Sequence, residues 1–436
     1  MTIWVCGSLP LMASMSTSFS VLAVKGRLTG ALLLSLAFCL SSLSKLQAED
    51  SPQYRGLRSD GRSTESNWSH QWGAIGPTVQ WRYELGVGYS GIVTKRGVVV
   101  AMGNRSGKVQ VVAVELESGK ELWKFEFESP LDANDFEGGP TATPLLDNDS
   151  VYVLSRRGRC FSLALNSGAL NWELDLPQDT GIRVPGWGFS GAPKAFGSRL
   201  ILNVGDAGVC LDKNTGELLW ASEDRDSGYS SAVPFKLGQT HTVILGSARS
   251  YVCVEIESGR ERWRQRWLTT FGCNAADAIV SGQKVFLSSG YSRGSALLDL
   301  KSGTPEIIWK HKDFRNHLST SVLVDGFLYG VNGDTDEGAR LTCMDFDTGE
   351  IRWSDPTFDA GALIEAGNRL LVLSADGDLI VGGVDPKRFE ILARHKILAG
   401  RCWVAPVLTD GMLLCRDAGG ELVCLNLRPT SSNPLK

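Results

Sequence analysis

Three sets of residues have the types and spacing for chemistry. The stretch "VNGDTDEGARL" puts Asn332, Asp334 and Asp336 at alternate positions, the opening spacing of a Ca²⁺-binding loop. Its glycine falls one place late, and the twelfth position holds Cys343 where such loops close with a bidentate Glu, so the stretch reads as a solvated acidic hairpin. Eight cysteines follow residue 48, but none forms a CxxC pair, a haem-attachment CxxCH or an adjacent pair, and no HExxH zinc motif is present. The third set is scattered along the chain: Tyr89, Glu137, Trp187, Phe189, Tyr229, Asn274, Asn316, His317, Arg401 and Trp403. Aromatic rings, amides, one His and one Arg are what a ligand pocket contains, if something brings them together. His317 is the one histidine of the set, and no Ser–His–Asp spacing accompanies it, so a nucleophilic triad is unsupported.

What brings them together is a repeat. Aligned on a Ser/Thr-Gly pair, the chain reads "AVELESGKELW" (113–123), "SLALNSGALNW" (162–172), "CLDKNTGELLW" (210–220), "CVEIESGRERW" (253–263), "LLDLKSGTPEIIW" (297–309) and "CMDFDTGEIRW" (343–353). The pairs Gly119/Trp123, Gly168/Trp172, Gly216/Trp220, Gly259/Trp263, Gly303/Trp309 and Gly349/Trp353 recur with a period of 43 to 49 residues. Before each motif lie alternating strands of four to seven residues, punctuated by Gly and Asp, with no helical period. Glycine in the motif supplies the positive φ of a tight hairpin, and the Trp on the outer strand has a ring large enough to bury against the next unit.

A four-stranded unit of this length is the size of a propeller blade. "TVQWRYELG" (78–86) offers a Trp strand, with Trp81, that has no hairpin before it, and "ELVCLNLR" (421–428) offers a hairpin half with no Trp strand after it. Paired, they complete one blade and leave no free edge. With a worn copy, "GVDPKRFEILA" (383–393), the count is eight: an all-β, eight-bladed β-propeller closed by an N-terminal strand in the C-terminal blade. In such a ring the loops crossing from blade to blade surround one mouth of the central channel, and the scattered set above falls on those loops. The same side chains can instead fill the channel, bonded to one another and to water. Cys210, Cys253, Cys343 and Cys424 share one motif position on four blades, too far apart for the roughly 7 Å Cα separation of a disulfide, and read as small buried strand residues. Arg416 and Asp417, after an apolar strand, read as a structural ion pair.

The pattern A-x-D-x-x-T-G-x-x-x-W resembles the tryptophan-docking motif of eight-bladed quinoprotein propellers. Four segments, "PQYRGLRSDGRST" (52–64), "SSGYSRGSALLDL" (288–300), "NHLSTSVLVDGFLYG" (316–330) and "GRCWVAPVLTDGMLLCRDAGGELVCLNL" (400–427), are similar to a bacterial exported subgroup of PQQ-like repeat proteins. The resemblance implies one of two functional classes. Catalytic quinoprotein dehydrogenases are larger; they hold PQQ under a disulfide between adjacent cysteines, against a Trp, with Ca²⁺ on acidic and amide groups and an Asp as base. Non-catalytic relatives include the lipoprotein propeller of the outer-membrane barrel-assembly machine, which offers loops and edges to other proteins. The absent cysteine pair and the short chain agree with the second class.

Residues 1–48 contain no Asp or Glu, carry Lys25 and Arg27, and run apolar through "LTGALLLSLAFCL" (28–40) to a polar stretch ending at Ala48. That is the layout of a secretory signal. The run is well below the roughly 20 residues a membrane-spanning helix needs. The expected organisation is a signal peptide (1–48), an N-terminal extension (49–77), the propeller (78–428) and a tail (429–436), in a periplasmic or secreted protein. From residue 49 onward there are 41 basic and 48 acidic side chains and no run of five or more Lys/Arg, which speaks against nucleic acid as a partner. The reading is a monomeric, non-catalytic propeller that binds other proteins as a binding or assembly scaffold, with no cofactor and no integral membrane segment after cleavage. Two alternatives stay open: a PQQ- and Ca²⁺-dependent dehydrogenase, and a peptide- or carbohydrate-binding sensor.

Overall fold

Each repeat forms one antiparallel sheet of four strands. The computed structural model describes residues 49–132, 136–223, 225–335 and 337–429. The signal segment expected over residues 1–48 lies outside these residues, as does Asp336. Eight sheets are present: blade 1 spans 93–128, blade 2 145–175, blade 3 194–221, blade 4 233–266, blade 5 279–311, blade 6 322–355, blade 7 360–396, and blade 8 joins 407–426 to Thr78–Glu84 as its outer strand. Within a blade the middle strands are buried on both faces and read as continuous apolar runs, as in Lys108–Glu115. The outer strand Glu121–Glu128 buries only Trp123 and Phe127. One apolar cluster fills each gap between neighbouring blades, and the last of them joins Met412, Leu414 and Cys424 of blade 8 to Val99, Ala101 and Val112 of blade 1.

The tryptophans lock each blade to the next. Trp123 donates its indole N–H to the Leu165 carbonyl of blade 2 at 2.7 Å, and Trp81, Trp172, Trp220, Trp309 and Trp353 make the same bond to their next blade at 2.7–3.2 Å. The ring lies over the next blade's hairpin glycine: a Cβ on Gly168, whose φ is +69°, would sit 2.5 Å from the Trp123 ring. Two departures follow from the sequence. The hairpin of blade 5 is two residues longer, Gly303 has nothing within 4 Å of where its Cβ would lie, and the buried Trp263 N–H that should dock there has no acceptor. Blade 7 has lost its own Trp, yet Trp353 still bonds to Asp385 of its worn hairpin.

Each outer strand that carries a docking tryptophan has a bulge at it, and the motif cysteines lie across from that bulge. Cys210, Cys253, Cys343 and Cys424 lie directly across from Trp220, Trp263, Trp353 and Trp81, where Ala113 faces Trp123 in blade 1. The bulge turns the large ring toward the next blade; the residue across from it is small in six blades, while in blade 5 it is Leu297 and Trp309 still docks. All eight described cysteines are free and buried. Burial raises the Cys210 and Cys343 thiols to about 12, far from a reactive thiolate.

Two sequence expectations are corrected. Arg416 does not pair with the Asp417 carboxylate. Its fully buried guanidinium donates to the carbonyls of Met102 (2.6 Å), Ser90 (3.1 Å) and Gly86 (3.2 Å), bolting blade 8 to the first blade and the strand connection before it. Asp417 instead accepts backbone N–H groups of Gly420, Glu421 and Gly400. Nor is the acidic hairpin simply solvated. Asp334 is buried and accepts the Tyr291 N–H at 2.7 Å, and Asn332 accepts the Arg315 N–H at 2.9 Å, so both hold neighbouring loops.

The segment 49–66 is the element that periodicity does not foretell. It crosses the channel on the face of the first hairpin turns and touches blade after blade. Ser51 pairs with Thr94, Pro52 accepts from Leu146, and Lys194 bonds the Ser59 hydroxyl. Arg55 donates to the carbonyls of Thr320 and Ser321, and Arg62–Ser63 adds a parallel strand inside blade 7 against Glu365–Ala366. Trp68 and Trp72 then pack on the apolar cluster between blades 7 and 8, where the outer strand offers only Ala393.

Candidate functional site

With one face crossed by residues 49–66, the channel is a cup open toward the blade-to-blade loops. Its cavity has a volume of about 210 Å³. Tyr54 of the crossing segment lines its floor together with Asp277, and Tyr89, Phe136, Trp187, Tyr229, Tyr291 and Trp403 line its walls. The rings form two groups. Tyr89 stacks on Trp403 at 5.6 Å, Phe136 meets Trp403 edge-on at 5.4 Å, and the Arg401 guanidinium lies 4.7 Å over Trp403. In the second group Trp187 meets Tyr229 and Phe271 edge-on, Phe271 meets Tyr291, and Tyr291 meets His317 at 4.7 Å.

The ten residues expected at the mouth divide accordingly. Tyr89, Trp187, Tyr229 and Trp403 line the cavity. Glu137 and Arg401 form its rim: the Tyr89 hydroxyl donates to Glu137, which Arg401 also reaches at 3.3 Å. Burial and the Glu137 carboxylate push the Tyr89 phenol above its ordinary value. Phe189 is fully buried between blades 2 and 3, away from the cup. Asn274 and Asn316 are also fully buried. Asn274 donates to the Ser247 and Trp267 carbonyls and accepts from Ser289; Asn316 donates to Val331 and accepts from Ser321. His317 is buried, and its Nδ1 accepts the Thr335 N–H at 3.1 Å. These last four shape the loops and do not face a ligand.

Sequence reading missed Phe136, Tyr291, Asp277 and Tyr54. Phe136 and Tyr291 are single aromatic residues in irregular loops, and Tyr54 belongs to the extension, so none shares a repeat phase with the others. Asp277 places a carboxylate on the floor, and Asp132 also lines the cavity. Asp277 accepts the Ser231 N–H at 2.7 Å, and its own N–H donates to the Thr320 hydroxyl at 2.9 Å. Burial raises its carboxyl to about 6 against the opposing pull of Arg55, Ser231 and Lys194. Burial likewise lowers Lys194 to about 8 and raises Tyr54 to about 12.

A quinone seat with Ca²⁺ is not built from these residues. No two cysteines are adjacent, and Cys273 and Cys402 of the mouth loops are separate buried thiols. Both buried amides are engaged, their Oδ1 atoms by the Ser289 and Ser321 hydroxyls and their NH2 groups by backbone carbonyls, and among the described residues no three His, Cys, Asp or Glu side chains converge as a metal site.

Comparisons with known proteins agree with the fold. The outer membrane protein assembly factor BamB of Yersinia pestis is 24% identical over 373 residues, covering 79% of this chain and 88% of that protein. BamB of Pseudomonas aeruginosa is 27% identical over 133 residues, covering 29% of this chain and 31% of that protein. Among solved structures, BamB from Moraxella catarrhalis superposes with a TM-score of 0.59 at 16% identity, covering 81% of this chain and 98% of its own. Quinohemoprotein alcohol dehydrogenase from Comamonas testosteroni superposes with a TM-score of 0.65 at 15% identity, covering 89% and 82%. The family described as outer membrane protein assembly factor BamB (PQQ_2) matches residues 66–187 and 107–355, and this chain, an eight-bladed PQQ-like propeller, belongs to it.

Proposed function

We propose that the chain is an exported, non-catalytic scaffold that binds other proteins in the assembly of the outer membrane. The observation that carries this reading is the fate of the mouth's polar groups. Glu137, Arg401 and the Tyr89 hydroxyl engage one another, while Asn274, Asn316 and His317 hold loop backbone. The walls of the cup are then largely aromatic, with Arg156 and Asp132 facing one another at 3.7 Å beside them and Asp277 on the floor, a surface that suits recognition better than bond-making. The family match, described as an outer membrane protein assembly factor, supports the same reading. The test has two parts. Native mass and absorbance of the exported protein are recorded before and after adding PQQ with Ca²⁺, and outer-membrane β-barrel levels are compared with and without the gene. No quinone band, no added mass and a fall in folded β-barrels are expected. A one-to-one quinone complex would return the reading to a dehydrogenase.

A second reading, a peptide- or carbohydrate-binding cup, is favoured by the half-exposed Trp187 and Trp403 on opposite groups around the cavity. Saturable quenching of tryptophan fluorescence by a panel of short glycans or peptides, lost in Trp403→Ala, supports it; a flat titration across the panel removes it.

A further inference from the structure

Glu49, at the start of the crossing segment, is held by its nitrogen, its carbonyl and both carboxylate oxygens. The main-chain nitrogen donates to Glu65 Oε1 at 2.6 Å, and the carbonyl accepts the Thr409 hydroxyl of blade 8 at 3.0 Å. Of the side chain, Oε1 takes the Arg58 guanidinium at 2.7 Å, and Oε2 accepts the Ser63 hydroxyl at 2.9 Å and the Thr64 N–H. The residue before it is Ala48, the small residue at which the leader layout ends, and no Asp or Glu precedes position 49.

Glu65, at the other end of the segment, is a buried carboxylate without a counter-charge. It is 6% exposed, and its Oε1 accepts two main-chain N–H groups, from Glu49 and, at 2.8 Å, from Asp410. Neighbouring carboxylates each meet an arginine: Glu49 meets Arg58 at 2.7 Å, Glu365 meets Arg62 at 2.8 Å and Asp410 meets Arg428 at 2.5 Å. Among the described residues no cationic side chain reaches Glu65. Leaving a buried carboxylate unpaired is costly. The group in place to neutralise it is the Glu49 nitrogen, which lies closer than the ~2.9–3.0 Å usual for an amide donor and near the distance of a charge-assisted bond.

We propose that the Ala48–Glu49 peptide bond is a processing site and that its cleavage creates the counter-ion of Glu65, latching the floor of the channel. Hydrolysis by an endopeptidase of the export route breaks the bond between the Ala48 carbonyl carbon and the Glu49 nitrogen. Water gives its oxygen to Ala48, which leaves as a carboxylate, and both its protons to the Glu49 nitrogen, which becomes an ammonium. An α-ammonium ordinarily titrates near about 8, so the charge is present at neutral pH. In the unprocessed chain the same nitrogen offers one N–H and no charge. The ion pair therefore closes only after processing, and it ties the start of the crossing segment to its end and, through Thr409 and Asp410, to blade 8. The latch rests on the export reading above and is independent of the scaffold role.

Protein recovered from the periplasm is expected to begin at Glu49 with a free α-amine, read by intact mass and N-terminal sequencing. Hydrogen exchange then compares it with a form in which a flexible Gly/Ser extension precedes Glu49, which keeps the N–H and removes the charge from that nitrogen. The extension is expected to quicken exchange about tenfold or more at Thr64, Thr94 and Leu146, whose N–H groups bond Glu49, Ser51 and Pro52. Glu65→Gln, which keeps the shape and an acceptor oxygen, should quicken the same amides to a similar degree in the processed protein and by less than about twofold in the extended form. Equal effects of Glu65→Gln in the two forms overturn the latch, because Glu65 then serves only as a partner of main-chain N–H groups. Should Glu65→Gln fail to fold, the extension decides alone, and exchange unchanged by it overturns the latch. So does a periplasmic protein that begins at another residue or has a blocked amine; each of these leaves export standing. An unprocessed chain retained inside the cell overturns the latch and the export reading together.

Discussion

Arg416 and Asp277 are both buried charges, and they act in opposite directions. Arg416 gives its N–H groups to four main-chain carbonyls, those of Gly86, Ser90, Met102 and Asp417, so its charge is solvated by the fold, although burial still lowers it to about 10. Replacing it by Met takes the guanidinium donor away from all four carbonyls. We expect Arg416→Met to lose roughly 3 kcal/mol or more of stability, read by denaturant unfolding, and Arg416→Lys to recover only part, because an ammonium cannot span the fork. Asp277 is held at about 6 instead of 3.8, so the folded state binds a proton that the unfolded state releases between those values. The stability this proton provides is full below pH 3.8 and is lost as pH rises through about 6. The difference between wild type and Asp277→Asn should therefore change by on the order of 3 kcal/mol across that window, with the variant the more stable at neutral pH. Thermal melts at matched pH values check this, and parallel curves for the two proteins would remove the account.

At the scale of the element, the repeated unit joins a hairpin glycine, a bulge and a tryptophan that leaves its own sheet to bond the next. Its parts separate experimentally because one of them is broken. Trp123 makes its N–H bond to Leu165, while the buried Trp263 N–H has no acceptor beside the lengthened hairpin of blade 5. Trp→Phe removes the N–H and keeps most of the apolar ring. Trp123→Phe is expected to cost about 1 kcal/mol more than Trp263→Phe by equilibrium unfolding. Equal losses would mean that ring burial alone, without the hydrogen bond, joins the blades.

For the whole molecule, the consequential feature is that the chain floors its own channel. The crossing segment is fastened mainly by Arg55, whose guanidinium reaches carbonyls at Ser59, Asp60, Thr320 and Ser321 from a left-handed backbone position. Arg55→Ala should loosen this segment without unfolding the blades. Hydrogen exchange is expected to quicken about tenfold or more in residues 51–63, including the bond from Glu365 to Gly61, while the middle strands of the blades keep their protection. Uniform loss of protection would show instead that the floor and the ring are one cooperative unit.

The sequence alone determined the repeat, the eight blades, the tryptophan and glycine positions and the side of the ring on which the mouth lies. Each of these is written many times in local terms, by strand alternation, a turn glycine and a ring at fixed phase, so one worn copy does not erase the pattern. Tertiary structure alone decided which mouth residues face the cup. Phe189 and Tyr229 occupy comparable loops, yet the first is sealed between blades 2 and 3 and the second lines the cavity. It also decided the floor, through pairs such as Arg62 and Glu365, which lie 303 residues apart, and it turned Arg416 from its neighbour's carboxylate to the carbonyls of another blade. Such features occur once, in irregular loops or between distant segments. Their directions follow from which backbone groups are left to satisfy when the ring closes, and no local period encodes that.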